Sequence, residues 1–390
     1  MAHTVLYGGV LHRITAGTMD PGYIVMENGK ILEVAEGEPA SGPGADMIDL
    51  KGKHVMPGLI DCHTHLGILE EKMGEIGKDN NETSVPLAPG LRALDGVNPN
   101  DPGFADALRN GITTVMTGPG SNIPVGGLNL ALKTHGSIID RMVIKDPTGL
   151  KIALGENPIK TFSQGNEMPV TRMGTAALIR SLFLRAQDYA GLKAQGRLEY
   201  RDLNMEAVLL ALNGDIPIRV HAHRADDIVT GIRLAEEFGL RIVIEHGTEA
   251  YLIRDYLKEK NVPVAIGPMI TPRDKMELKN RSYDTARELA EAGVMIAIIT
   301  DHPYNSIEHL RLSAIIAHQE GLSGPDALKA ITINPASILG IDDRLGSLDA
   351  GKDADIVVLN GHPLDMDSKV ERVYISGDLV YQRGRQDEDS

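Results

Sequence analysis

The chain has 390 residues, of which 42% are hydrophobic and 24% charged, as in a globular protein able to bury a large core. Its net charge of −15, from 54 acidic against 39 basic residues, opposes binding to nucleic-acid phosphates, and 4% aromatic content without Trp leaves few surfaces for stacking bases. No apolar run approaches the ~20 residues of a membrane helix, and a single cysteine, Cys62, excludes an intramolecular disulfide.

The opening residues lack a basic stretch followed by a long apolar one, so no secretory signal is expected and the expected location is cytoplasmic. Residues 4–55 hold short β-like runs punctuated by Gly and Pro, without helical periodicity. Residues 67–101 are rich in Gly, Pro, Asn and Glu and carry little regular pattern. A segment of that length reads as a functional loop, either a lid or a subunit contact. From residue 216 the pattern repeats. Strands are expected at 216–220, 240–244, 262–266 and 294–299, and helices at 226–238, 248–260 and 285–292, with Gly239 and Gly293 as stops. Such alternation implies a parallel sheet. Short β-runs return at 354–359, 370–375 and 378–381, and the acidic tail 386–390 reads as a solvated, disordered end. The two β-rich flanks lack cores of their own. The expected organisation is a small β domain from residues 1–55 and 345–390, with residues 56–344 inserted as a second domain.

The chemistry gathers at strand ends. Gly58-Leu-Ile-Asp-Cys-His-Thr-His65 places His63 and His65 two apart after a short apolar strand, on one side of an extended chain. Arg219-Val-His-Ala-His223, Ile244-Glu-His246 and Ile298-Ile-Thr-Asp-His302 end later strands in the same way. Six of the 13 histidines (His63, His65, His221, His223, His246 and His302) therefore share one face of a parallel sheet, with Asp301 beside the last. Imidazole nitrogens that converge there suit a divalent cation such as zinc. Lys151 lies inside an apolar run, where an ammonium is costly unless it is neutralised or paired, and Glu156 follows just beyond.

These motifs resemble the amidohydrolase superfamily, in particular its imidazolonepropionase-related members, over nearly the whole chain. Residues 57–65 are similar to the family's first-strand metal motif, and residues 345–358 to the segment that returns such chains to their small β domain. The resemblance implies an α/β fold: a (β/α)₈ TIM-like barrel with a small β-sandwich domain built from both chain ends. It implies His221, His246 and Asp301 as further metal ligands, and one or two divalent ions, zinc foremost. Lys151 is the candidate N6-carboxylysine bridging two ions, with Glu156 as the alternative ligand, ligand-orienting or substrate-binding residue.

The expected enzyme is a hydrolase acting on the C–N bond of a cyclic amide, an N-acyl amino acid or a dipeptide-like amide. A metal-activated hydroxide would attack, Asp301 would serve as general base and then acid, and His223 and His302 would position the carbonyl. A deaminase is the alternative, and a non-catalytic scaffold a further one. Family deaminases carry a Glu three residues after the fifth-strand histidine, whereas Arg224 stands there. Arg224, with Arg172 and Arg273, is a candidate to hold a substrate carboxylate. The expected partners are a small-molecule substrate and further copies of the chain in a homo-oligomer, with no nucleic acid and no membrane.

Overall fold

The computed structural model describes residues 3–39, 44–71, 73–165 and 167–384; the acidic tail lies outside them. Five strands open the chain: β1 (Thr4–His12), β2 (Thr18–Glu27), β3 (Lys30–Glu36), β4 (Asp46–Asp49) and β5 (His54–Pro57). The next eight build the barrel: β6 (Leu59–Thr64), β7 (Ile112–Thr117), β8 (Val125–Lys133), β9 (Val143–Ala153), β10 (Ile218–Ala222), β11 (Ile242–His246), β12 (Val264–Ile266) and β13 (Ile296–Ile298). Three close the chain: β14 (Ile356–Leu359), β15 (Val370–Ile375) and β16 (Asp378–Gln382).

Strands from both chain ends form one sheet, ordered β16-β15-β14-β5-β1-β2-β3 with β4 beside β1. Its core joins Leu6, Leu11, Ile24 and Val55 to Leu348, Ile356, Val358 and Tyr374, so neither flank supplies that core alone. The inserted sheet runs β13-β12-β11-β10-β9-β8-β7-β6 and is nearly closed. Across the seam, Asp301 N donates to His63 O at 3.2 Å and Thr300 N to a carboxylate oxygen of Asp61 at 3.0 Å. Inside it, Ile60, Cys62 and Met116 pack with the small Ala131, Ala265 and Ala297, and Ile338, Leu339 and Leu345 join that cluster. Burial in this cluster pushes the Cys62 thiol up to about 12, so it is an inert core group.

The sheet departs from uniform βα alternation at one strand. β8 is antiparallel to both β7 and β9, although all nine of its residues are buried. β10 and β11 begin and end two residues beyond the apolar runs, so His221 and His246 lie within them rather than after them, while β12 and β13 begin two residues late and end at 266 and 298. Residues 248–260 form a 3₁₀ turn (Ala250–Ile253) followed by the short helix Arg254–Glu259 instead of one helix. The 67–101 segment is fastened to the barrel: Leu128 N donates to Leu91 O at 2.8 Å and Asn122 N to Asn81 Oδ1 at 2.9 Å. Asp101 ends the segment by capping the helix Pro102–Arg109 through Gly103 N, while its other oxygen accepts from Gly67 N. None of the 67–101 residues lines the cavity at the barrel mouth, although Asn122, which Asn81 holds, does.

Candidate active site

A cavity of about 430 Å³ opens at the C-terminal ends of the barrel strands. His63, His65, Lys151, His221, His223, His246 and Asp301 all line it, so seven positions read from the sequence meet in one place. Two donor groups are compact enough for one ion each: His221, His223 and His246, and His63, His246 and Asp301. Within each group one ligand atom per residue lies within 4.8 Å of the others, and His246 belongs to both.

Each imidazole is oriented by what its second nitrogen meets. His65 Nδ1 lies 2.7 Å from Gly118 O, His246 Nδ1 2.8 Å from Gly267 O, and His223 Nδ1 2.8 Å from Thr248 Oγ1. A carbonyl accepts only from N–H, so His65 and His246 are held with Nε2 as the free lone pair, as metal-ligating histidines require. His63 turns Nδ1 to Glu245 at 2.8 Å and Nε2 to Asp301 at 3.1 Å. His221 Nδ1 and His223 Nε2 are buried with no hydrogen-bond partner among the described residues. Burial, reinforced by neighbouring positive groups, holds His221, His223 and His246 well below the usual imidazole range, so they are neutral at pH 7. Neutral, orphaned imidazole nitrogens beside a carboxylate fit a divalent cation. Burial raises the pKa of the Asp301 carboxyl, but His246, His63 and His65 outweigh it and keep the group ionised.

Two positions of these donor groups carry backbone strain. His246 (φ 74°) and Asp301 (φ 58°) adopt the left-handed region, which non-glycine residues seldom occupy. Such conformations persist where surrounding structure over-determines them, and they cluster at functional sites.

Beneath the histidines sits a charge cluster that the sequence reading left unassigned. Register aligns Lys151 of β9 with Arg219 of β10, and His221 with Glu245 of β11. Glu245 accepts from Arg219 Nε at 2.8 Å and pairs closely with Lys151 Nζ, while Arg219 also donates to Cys62 O at 2.6 Å. Lys151, Arg219 and Glu245 are at most 1% exposed. Burial pushes the Glu245 carboxyl up, but His63, Lys151 and Arg219 overcome it and hold it well below the ordinary value. The available cue was the one that marked Lys151: a charge inside an apolar run must find a partner. Asp61 is tuned the other way. Burial raises it to about 6, although Thr300 and His63 N donate to it.

Three expected site residues are not brought to the cavity. Glu156 opens the helix Glu156–Ser163 and turns its carboxylate to Lys160, 3.1 Å away on the next turn; Asn157 lines the cavity in its place. Arg224 forms a bidentate pair with Asp226 at 2.8–2.9 Å, because both lie at the solvent-facing start of the helix Ala225–Phe238. His302 is buried behind the wall, against Gly103, where its Nδ1 accepts from Ile307 N at 3.0 Å; burial lowers it to about 4. That contact orders the turn after Asp301. Ser121, Asn122, Lys275 and Tyr304, which have no sequence motif, do line the cavity, and Glu277 is buried 3.6 Å from His223 Nε2.

Residues 54–380 match the model of the amidohydrolase family, which covers the whole barrel and, of the small sheet, β5, β14, β15 and the start of β16. The chain belongs to the amidohydrolase family. That makes it a hydrolase of the class acting on carbon–nitrogen bonds. It is similar to an amidohydrolase of solved structure from Thermotoga maritima MSB8, with 44% identity and a TM-score of 0.94 over 97% of this chain and 100% of that one. It is 29% identical to amidohydrolase tasK of Hapsidospora irregularis over 91% of this chain, but spans only 39% of that relative's length. An imidazolonepropionase from Streptococcus sanguinis (strain SK36) is 27% identical over 95% of this chain and 92% of its own. Among the described residues of this amidohydrolase, no helix is long and apolar enough to cross a membrane.

Proposed function

We propose that this amidohydrolase hydrolyses the C–N bond of a small amide with the help of one or two divalent ions, zinc foremost. One observation carries the reading: two donor groups sharing His246 converge at the mouth of the barrel. A divalent ion bound there would polarise the scissile carbonyl and make a water acidic near neutral pH.

The residues of the chain supply the rest. His63, His65, His221, His223 and His246 would hold the ion or ions through ring nitrogens, so His223 would join the donors and not act only on the substrate. Asp301, 3.1 Å from His63 Nε2 and 3.4 Å from His65 Nε2, accepts the proton of the attacking water and delivers it to the leaving nitrogen. Lys151 is paired with Glu245 as an ammonium. As its carbamate it would carry two oxygens and negative charge into the donor cluster, while Glu245 kept Arg219 and His63 Nδ1 as partners. NMR of protein loaded with zinc in ¹³C-bicarbonate reads this directly through a carbamate carbon that Lys151→Ala abolishes. The small sheet built from both chain ends, bounded near residues 55 and 345, is proposed as one folding unit.

A deaminase reading is favoured by one feature: the buried carboxyl of Glu277, 3.6–3.8 Å from His223 and His221, is an acid available beside the donors. One screen of zinc-loaded protein decides. N-acyl amino acids, dipeptides and cyclic amides are offered beside aminopurines and aminopyrimidines. Chelator-sensitive cleavage of an amide supports the proposal, and ammonia release from the heterocycles alone replaces it.

A further inference from the structure

The arginines expected to meet a substrate carboxylate are all engaged elsewhere. Arg172 donates to Asp227 at 2.9 Å, Arg224 is held by Asp226, and Arg273 donates to Arg281 O at 2.9 Å; none lines the cavity. Two cations remain on the cavity wall. Lys151 is spent on Glu245, beneath the histidines. Lys275, from the loop after β12, is different. Its side chain is 26% exposed and its nearest carboxylate, Glu277, is 3.7 Å away, beyond hydrogen-bond length. Among the described residues it makes no hydrogen bond, so its ammonium keeps three unspent donors inside the cavity. Asp274 also lines the opening but is solvent-exposed, where water and salt screen it.

We propose that Lys275 anchors a carboxylate on the substrate. This deepens the amide-hydrolase reading, on which it rests, by naming the class: an N-acyl amino acid or dipeptide with a free carboxylate, not an uncharged cyclic amide. An uncharged ring would leave the half-buried ammonium facing only Glu277, 3.7 Å away and without a hydrogen bond, whereas a substrate carboxylate would give it a charge-assisted hydrogen bond. The cavity, about 430 Å³, holds a molecule of dipeptide size. Pro268, Pro272 and Leu278 beside Lys275 offer an apolar surface to the side chain next to that carboxylate, and Asn122 and Asn157 offer amide groups to its backbone.

The test measures binding, apart from turnover. Zinc-loaded full-length protein is titrated calorimetrically with N-acetyl-L-proline, N-acetyl-L-leucine and glycyl-L-leucine, each as the free acid and as its carboxamide. The wild type should bind at least one acid tenfold or more tightly than its carboxamide. Lys275→Met should remove that difference and Lys275→Arg should restore most of it, with zinc content and melting temperature unchanged. If Lys275→Met misfolds, Lys275→Gln replaces it. Equal binding of acid and carboxamide by the wild type, or a preference that survives in Lys275→Met, overturns the inference. Failure of the function proposed above shows separately, as acid-selective binding without cleavage of any amide.

Discussion

The joint between barrel and small sheet rests on a buried charge cluster whose disruption is calculable. Lys133, at the end of β8, places Nζ 2.7 Å from Asp355 and 3.2 Å from Asp353, and the three side chains are 10%, 2% and 4% exposed. Asp353 has two further cations, Lys30 at 2.6 Å and Arg344 at 2.9 Å, but among the described residues Asp355 otherwise has only Ser376 N. Lys133→Met therefore leaves one buried carboxylate without a cation. Removing one partner of a buried pair costs about 3–5 kcal/mol, and the retained partners of Asp353, themselves 49% and 42% exposed, put this case near the lower end. With an unfolding entropy of ~2.1 cal/mol/K per residue, ~3 kcal/mol lowers the melting temperature of the 390-residue chain by ~4 °C. Circular dichroism at pH 7 measures the drop, and Asp355→Asn in the same background should recover more than half of it. The pH dependence has a defined sign. Burial raises the Asp353 carboxyl, but Lys30, Lys133 and Arg344 win and bring it from 3.8 to about 2. Its contribution is therefore complete above about pH 4 and lost as pH falls toward 2. The gap between wild type and Lys133→Met should stay flat from pH 8 to 5 and narrow below 4. A drop under 1 °C at pH 7, or a gap that widens on acidification, would refute the reasoning.

Asp301→Asn should retain metal but lose ~10²–10⁴-fold in turnover of the amide found by the screen; near-normal turnover would remove it from proton transfer. His246→Ala, which strikes both donor groups, should lower metal content by elemental analysis more than His221→Ala, which strikes one; equal losses would mean that the groups do not share a ligand. Deleting residues 345–390 removes the β14 partner of β5 and five of the twelve buried residues of the small core, so the product should aggregate on size exclusion, and a soluble, active truncation would count against one folding unit.

The face that gathers the candidate metal donors was legible because its residues follow a rule: polar side chains at the ends of apolar strands share one face of a parallel sheet. His63, His65, His221, His246 and Asp301 could be placed together for that reason. The strand ends were misjudged by about two residues at β10 and β11 because hydrophobicity stops at Val220 and Ile244. The ladder continues through His221 and Glu245, whose polarity is satisfied inside the barrel by ligand neighbours and by Arg219. The antiparallel course of β8 was hidden because a wholly buried run reads the same in either direction. Glu156 and Arg224 misled because sequence proximity to a ligand says nothing of direction: helix starts turned one to Lys160 and the other to Asp226. Lys275 and Tyr304 come from loops, where no periodicity marks the side facing a cavity.

The most direct test of the central claim is anomalous diffraction at the zinc edge from crystals of the zinc-loaded protein. One or two peaks should lie in the barrel mouth, about 2.0–2.1 Å from nitrogens of His63 and His246 or of His221, His223 and His246, with Asp301 bound to at least one of them. A mouth without a peak would contradict the account, and so would zinc found only among His12, His54 and His362, whose ring centroids lie 5.1–5.7 Å apart beside β1 and β5 of the small sheet.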